Sequence, residues 1–495
     1  MGASVDRSAI AEAVGQALQQ DSRIVAVVDL AAARRVDVYV VGGFVRDVIL
    51  HRQCADVDFV VKGAAEFGRE FSGQVRGTYV LLHEEHETAR VVVKKHIYDF
   101  ADPRGEPIAE DLLQRDFTLN AVAYGLRVSD SDAKVIVDPL HGLEDIQARL
   151  VRAASDRGMR DDPVRVVRAF RFAAELGFSI EERTTALIRR STQALGDEAP
   201  ERVHTELFKM LAASQAAPLV RQMDELGVLS VMLPEMAETK GVAQDERHHL
   251  DVWDHSLAAF EQVETILQHP NRYFPGHARE MASYLASSSI VPVLKLAALL
   301  HDVAKPVVKR KDDAGRVTFA GHSAAGAQMA GHIADRLRLS RRDRHCLIGL
   351  VQHHRRPMEL LDAAGRGELR RRAMARYFRT TGHHSIGLLL LALAHGKAMR
   401  GPGVAADWEA AMTELVRRLL DFYFDEYVPK QKLPRLLTGR DLLDEFSLSP
   451  GPELGEMLDA LQDAHMADQV RTRDEALAFV RDRLRRQRQD KSGSA

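Results

Sequence analysis

Only two cysteines, Cys54 and Cys346, occur in 495 residues. No disulfide framework holds such a chain, and a reducing compartment suits it. Charge of neither sign prevails. Lys and Arg number 68 and Asp and Glu 71, a formal net charge of −3, which excludes wholesale coating of a polyanion but allows a local basic groove. Long apolar runs are missing too. The longest beside a helical pattern, Ile386 to Ala394, falls far short of a membrane span. Met1 to Gln20 lacks the apolar core of a secretory signal, and Asp6 stands where a myristoylation signal needs Ser or Thr. The chain therefore reads as soluble and cytoplasmic, with no membrane partner. No fixed-period repeat is visible. With 45% hydrophobic and 28% charged residues the composition is that of a folded globular protein, and the length suggests about three domains.

What is present changes along the chain. Residues 5–35 read as one helix with Ile10, Val14, Leu18 and later Val25 and Val28 on its apolar face. Val38 to Val41 and Val57 to Val61 are β-branched runs typical of buried strands, and Arg90 to Val93 with Ile97 to Phe100 predict a strand pair. After about residue 145 strand patterns nearly vanish and helical periodicity continues to residue 490. The fold class is α+β, a mixed head followed by a long all-α body. Joints are expected at Gly196 to Pro200, Glu238 to Arg247 and Gly401 to Gly403. Residues 1–36 form an N-terminal helix, 37–150 the head and 151–240 a helical neck. Residues 241–400 form a helical body and 401–495 a tail.

Four constellations in the first half carry chemistry. Gly42-Gly43 ends a strand and opens a helix with Arg46. Glycines let backbone approach a ligand closely, a helix start offers free N–H groups, and Arg46 adds a fork for phosphate oxygens. Taken alone, the pair also reads as a tight turn. Asp56 and Asp58 lie two apart on a strand, hence on one face. They would repel unless they shared a cation, and Mg²⁺ is held by one or two carboxylates plus substrate phosphates. Two such ions can clamp an in-line phosphoryl displacement. In Glu110 to Ala121, Arg115 would hold a triphosphate, while Asp116 would hold Arg115 or approach the metal. Asp116 or Thr118 also reads as a helix cap. Finally, Asp162, Arg165, Arg168 and Arg171 repeat every three residues along one helix, with Pro163 in its first turn. Asp acceptors and Arg forks suit the edge of a base, and further arginines suit phosphates. No serine or cysteine nucleophile stands out, and Cys54 reads as a packing residue.

In this order the motifs resemble the class II tRNA nucleotidyltransferase and bacterial poly(A) polymerase family, over roughly residues 37–230. The match rests on Gly42-Gly43-Phe44-Val45-Arg46-Asp47, Asp56-Val57-Asp58 and Arg115-Asp116-Phe117-Thr118-Leu119-Asn120-Ala121. It continues in Asp162 with Arg165, Phe172 to Phe178, and Glu201-Arg202 with Glu206. The resemblance implies a polymerase-β-like nucleotidyltransferase head. Asp56 and Asp58 would be catalytic, binding Mg²⁺ and activating the 3′-hydroxyl of an RNA. Gly43, Arg46 and Arg115 would hold the nucleotide. Asp162 and Arg165 would read its base in place of a template, with Arg168 and Arg171 completing the pocket and Asp116 and Asn120 supporting it. Gln114 departs from the family, which often has an arginine there.

The body carries His255, His301-Asp302, His322 and His353-His354. A His-Asp pair ending an apolar helix, with remote histidines, fits a metal site built from several helices. This stretch, about residues 245–400, resembles an HD-type phosphohydrolase domain. The resemblance makes His255, His301 and Asp302 metal ligands, usually with a distant Asp. On the later helix Leu393-Ala394-His395-Gly396-Lys397 stands instead. Some such domains hydrolyse phosphate or 2′,3′-cyclic phosphate ends; others would serve structure and RNA docking.

Leu437 to Leu442 and Pro450 to Gly455 resemble the C-terminal segment of many of these enzymes, with a helix capped near Ser449. Arg481, Arg483, Arg485, Arg486 and Arg488 would touch RNA phosphates or simply face solvent. Ser492 to Ala495 reads as frayed. The expected activity is addition of CCA to tRNA from CTP and ATP. CC-only, A-only and poly(A) addition share the same pocket, and a loop between the Asp pair and Arg115 would choose among them. The absence of a long basic extension disfavours poly(A). A phosphohydrolase working through the body and a non-catalytic RNA-binding protein are the rivals. DNA is not an expected partner, and protein partners stay open.

Overall fold

The computed structural model describes residues 5–492 apart from 55, 84–87, 128–134, 275, 288, 314, 433 and 447. The chain forms two compact units, Met1–Met232 and Leu233–Ala495.

In the first unit the N-terminal helix is broken into α1 (Arg7–Gln19) and α2 (Arg23–Arg34). Asp21 causes the break. Its carboxylate accepts the Arg23 backbone N–H at 3.0 Å and the Tyr98 hydroxyl, and Asp favours such local bonds over a helix interior. The head elements follow: β1 (Val38–Val41), α3 (Gly43–Ile49), β2 (Asp56–Val61), α4 (Ala64–Val75) and β3 (Thr78–His83). Then come β4 (Thr88–Val93), β5 (His96–Ala101), α5 (Ile108–Leu113), β6 (Ala123–Arg127) and β7 (Ile136–Val137). They build one seven-stranded sheet of order β3-β4-β5-β2-β1-β6-β7. Its single parallel pairing is β2 with β5, which sets Asp58 opposite Asp99.

Alternation along β2 positions the site. Val57, Phe59 and Val61 enter a core with Phe67, Phe71, Tyr98 and Phe100, joined by Val14, Leu18, Val27 and Leu30 of α1 and α2. Val60 belongs to a second cluster with Val41, Leu112 and Ala121. Asp56 and Asp58 share the Val60 side of the strand, as a period of two requires. Beyond residue 145 the described strands are two-residue pieces. Helices α6 (Arg165–Leu176) and α7 (Pro200–Ala212) pack together. Pro163 lies just ahead of α6, not inside its first turn.

The second unit is helical around α8 (Val252–Gln268), α9 (Ile290–Leu300), α10 (His322–Arg336), α11 (Arg341–His353) and α12 (Ser385–Ala398). The apolar run Ile386 to Ala394 is buried throughout, which makes α12 a core helix. No single helix among the described residues is long and apolar enough to cross a membrane. Near the C-terminus, Leu437, Leu442, Met457, Leu461 and Val480 form a small separate core. The helix there starts at Pro452 with Gly451 at its cap position, so the cap expected near Ser449 is displaced. Both cysteines are free.

Candidate active site

The turn between β1 and α3 brings backbone against side chains. Gly42 has φ +72° and ψ −134°, a conformation open to glycine. A Cβ on it would lie 3.2 Å from Asp58 Oδ2 and 3.5 Å from Arg115 Nη1. A carboxylate and a guanidinium thus converge on one glycine. Burial, with repulsion from Asp99, pushes the Asp58 carboxyl up to about 6, against the pull of Arg115. Asp99 is itself forked by Arg90, with two bonds of 2.8 Å. Asp56 and Asp99 both add negative charge beside Asp58, and Asp56 and Asp58 are the kind of carboxylate pair that holds a divalent cation together with substrate phosphates.

Asp111, not Asp116, holds Arg115: its Oδ2 accepts from Nε at 3.1 Å and from Nη2 at 3.0 Å. Asp116 instead accepts from Asn120 Nδ2 at 3.1 Å and Arg168 Nη1 at 3.3 Å. Burial alone would raise its carboxyl, but Arg168 and Asn120 hold it below the ordinary value. Neither cap reading survives. Phe117 occupies the cap of the short turn Thr118–Asn120, and the Thr118 hydroxyl donates to Asp145 at 2.7 Å.

Arg46 is 8% exposed. It donates from Nη1 to Asn120 Oδ1 at 2.7 Å and from Nε to Asp47 at 2.9 Å. Gly43 sits against it, a Cβ there falling 3.3 Å from Arg46 Nη2. Asp162, expected on the same helix as the three arginines, instead lies ahead of α6, ending the short helix Asp156–Asp161 with φ −138° and ψ 82°. The arginine row on α6 is engaged along its length. Asp162 Oδ1 accepts from Arg202 at 2.8 Å, and Asp162 lies 3.5 Å from Arg165. Arg165 Nη1 donates to the Arg115 carbonyl at 3.1 Å. Arg168 and Arg171 both meet Glu206 of α7, at 3.0 and 2.6 Å. The cradle and the row are therefore joined through Arg46, Asn120, Asp116, Arg168 and Glu206.

Sequence reasoning missed Asp99 and Asp111. The alternation Ile97-Tyr98-Asp99-Phe100 carries the signal for Asp99, since apolar neighbours make a strand aspartate unusual. Nothing local marks Asp111. The segment assigned to nucleotide choice includes 84–87, outside the described residues, as are 493–495 of the expected frayed end. Arg481, Arg485 and Arg486 are exposed and Arg483 is half-buried; the side chain of Arg488 lies outside the described residues.

In the second unit His255, His301, Asp302 and His395 converge, their donor atoms within 4.8 Å of one another. His395 Nδ1 lies 3.1 Å from His255 Nε2 and 3.0 Å from His301 Nε2, occupying the place where an Asp was expected. Asp302 Oδ2 lies 3.0 Å from His301 Nε2 and 2.7 Å from Lys305 Nζ, while Oδ1 faces His322 at 3.4 Å and His354 at 3.8 Å. His353 stands outside this group. Burial and neighbouring histidines keep His255 and His395 well below the ordinary imidazole value, and His354 falls to about 3. Burial opposes ionisation of Asp302, but His301 and Lys305 outweigh it. Neutral rings at His255, His395 and His354 are the protonation state that metal ligation needs. A cavity of about 570 Å³ opens onto the cluster, lined by Lys305, Arg355, Phe319 and Trp408 among others.

Known proteins share this arrangement of parts. A model of the poly A polymerase head domain matches residues 38–152, and one described as "Probable RNA and SrmB-binding site of polymerase A" matches 177–240. An HD domain matches 252–378 and tRNA nucleotidyltransferase domain 2 matches 428–480. The A-adding tRNA nucleotidyltransferase of Deinococcus radiodurans is 33% identical over 89% of this chain and 94% of its own length. The CC-adding tRNA nucleotidyltransferase of Thermus thermophilus is 31% identical over 90% and 93%. The solved structure of the Thermotoga maritima CCA-adding enzyme complexed with tRNA superposes with a TM-score of 0.62 at 21% identity, over 98% of this chain and 100% of that one, a likeness of fold. The chain belongs to the class II CCA-adding tRNA nucleotidyltransferase and poly(A) polymerase family, in a form that carries an HD domain, and is a nucleotidyltransferase.

Proposed function

We propose that the protein completes the 3′-terminal CCA of tRNA from CTP and ATP without a nucleic-acid template. The observation that carries this reading is the convergence of Asp58 and Arg115 on Gly42, with Asp56 on the same strand face. Asp56 and Asp58 would hold Mg²⁺, which when bound neutralises charge on the phosphates and favours ionisation of the attacking hydroxyl. Arg115, braced by Asp111, holds the triphosphate beside the carboxylates. Asp162 and Arg165 present acceptor and donors to the base edge, and Arg168 and Arg171 are held in register by Glu206. The tRNA 3′-oxygen attacks the α-phosphorus and pyrophosphate leaves. Such transfer relies on alignment and charge stabilisation, not on a covalent nucleophile.

A narrower product, A alone, is favoured by the 33% identity to an A-adding enzyme over nearly its full length. Labelled CTP or ATP offered to tRNA lacking CCA, and to tRNA ending in CC, separates the readings. Ordered addition of C, C and A supports CCA synthesis. Addition of A to the CC end alone, with no C incorporation, assigns the narrower product, and no incorporation on either end overturns both.

A second activity rests on the HD cluster. There His255, His301, Asp302 and His395 would hold a divalent transition ion, and Lys305, Arg355, Phe319 and Trp408 in the cavity beside them offer cations and rings to a phosphorylated nucleoside end. Loss of bound metal and of 2′,3′-cyclic nucleotide hydrolysis in Asp302→Asn, with CTP and ATP incorporation kept, is the expected result. Hydrolysis unchanged in that variant would overturn it.

A further inference from the structure

Outside both sites, three histidines from two segments meet in the second unit. His345 stands on α11, and His383 and His384 lie in the 3-10 turn Gly382–His384 that leads into α12. The His345 ring centroid is 5.3 Å from that of His383 and 5.0 Å from that of His384, and the adjacent pair is 4.1 Å apart. One donor atom from each lies within 4.8 Å of the others. His345 and His383 are exposed, whereas His384 is 6% exposed.

Two further observations point to a ligand. His384 Nδ1 is buried and has no hydrogen-bond partner among the described residues. Such a group costs about 1–3 kcal/mol when nothing pairs with it. The chain also makes room for the ring. Gly349 lies inside α11, where glycine costs roughly 0.5–1 kcal/mol relative to alanine. A Cβ there would fall 2.3 Å from His384 Cδ2 and 2.4 Å from Nε2. Burial, with His383 and His345 nearby, pushes His384 down to about 4, and burial with His345 and Arg342 lowers His383. Both shifts run toward the neutral ring that ligation uses.

We propose that His345, His383 and His384 form a metal site for a borderline transition dication such as zinc, separate from the HD cluster. Three imidazoles would bind the ion and water would take the exposed fourth position. An all-nitrogen donor set selects zinc, nickel, cobalt or copper over magnesium and calcium. Zn–N bonds of about 2.0–2.1 Å place tetrahedral donors roughly 3.4 Å apart. His345 and His383, both exposed, would have to rotate to bring the rings to that spacing. The ion ties α11 to the turn ahead of α12. His354 follows the first of these helices and His395 stands on the second, so the site also braces the frame of the HD cluster.

The test uses the full-length chain, stripped by chelator and titrated with Zn²⁺ or Co²⁺ alone. Every arm carries Asp302→Asn, and the readout is the difference made by adding His345→Ala/His383→Ala, so residual binding elsewhere cancels. Both substituted side chains are exposed, which spares the fold; circular dichroism checks it. The proposal expects one zinc equivalent, visible absorption bands of tetrahedral cobalt, and at least a tenfold loss of affinity with the two alanines. Zinc affinity and cobalt spectrum unchanged by the alanines, or no zinc bound by the Asp302→Asn protein, would overturn it.

Discussion

Arg202 Nη2 donates to Asp162 Oδ1 at 2.8 Å, joining residues forty positions apart. The acceptor proposed to read the base is therefore aimed by an arginine of α7, itself braced by Glu198 at 2.8 Å. Removing Arg202 leaves Asp162 only the looser 3.5 Å contact with Arg165. Arg202→Ala should raise KM for CTP and ATP by roughly tenfold, the scale of one charge-assisted hydrogen bond, with a smaller change in kcat. Arg202→Lys should recover only part, because an ammonium lacks the planar fork. Steady-state kinetics with each nucleotide check this.

Gly42 offers a sharper perturbation. Alanine there must adopt a backbone conformation that costs about 1–3 kcal/mol, and its methyl group would press on Asp58 Oδ2 at 3.2 Å. Gly42→Ala should lower kcat by about 100-fold, the usual consequence of displacing a catalytic group by about an ångström. Chemical denaturation measured alongside should register the smaller stability loss.

Lys295 and Glu264 form a buried pair in the second unit, Nζ to Oε1 2.6 Å, with Lys295 1% exposed. Lys295→Met leaves a buried carboxylate facing a methyl group and should destabilise the protein by about 3–5 kcal/mol; the double variant with Glu264→Leu should regain most of that. Burial outweighs the pull of Glu264 and holds the Lys295 ammonium below its ordinary 10.5. Between the folded value and 10.5 the unfolded chain binds more protons, so this group makes stability rise with pH in that window. Lys295→Met should flatten the rise. Urea unfolding across the alkaline range measures both effects.

The parts of the head that depend on near neighbours were legible. Alternation at Val57, Phe59 and Val61 sufficed for the strand and for a shared face of Asp56 and Asp58. The three-residue spacing of Arg165, Arg168 and Arg171 anticipated a row that the helix keeps partly buried, whereas Asp162, expected on the same helix, lies ahead of it. Partners brought in from afar were not legible. That Asp111 braces Arg115 is decided by the fold of residues 104–115, and Asp99 reaches Asp58 only through the parallel pairing of β2 with β5. The break at Asp21 was hidden because its hydroxyl donor, Tyr98, lies on a distant strand. His395 was visible as a departure from an expected Asp. Its ring still reaches His255 and His301, which spacing in one helix does not reveal.

The central claim is that Asp56 and Asp58 run nucleotidyl transfer on a tRNA end. The most direct test compares the wild-type chain with the Asp56→Ala/Asp58→Ala variant, using tRNA that lacks CCA, Mg²⁺, and labelled CTP and ATP. The account predicts C, C and A added in order by the wild-type protein and none by an equally folded double variant. Incorporation that survives loss of both carboxylates would contradict it.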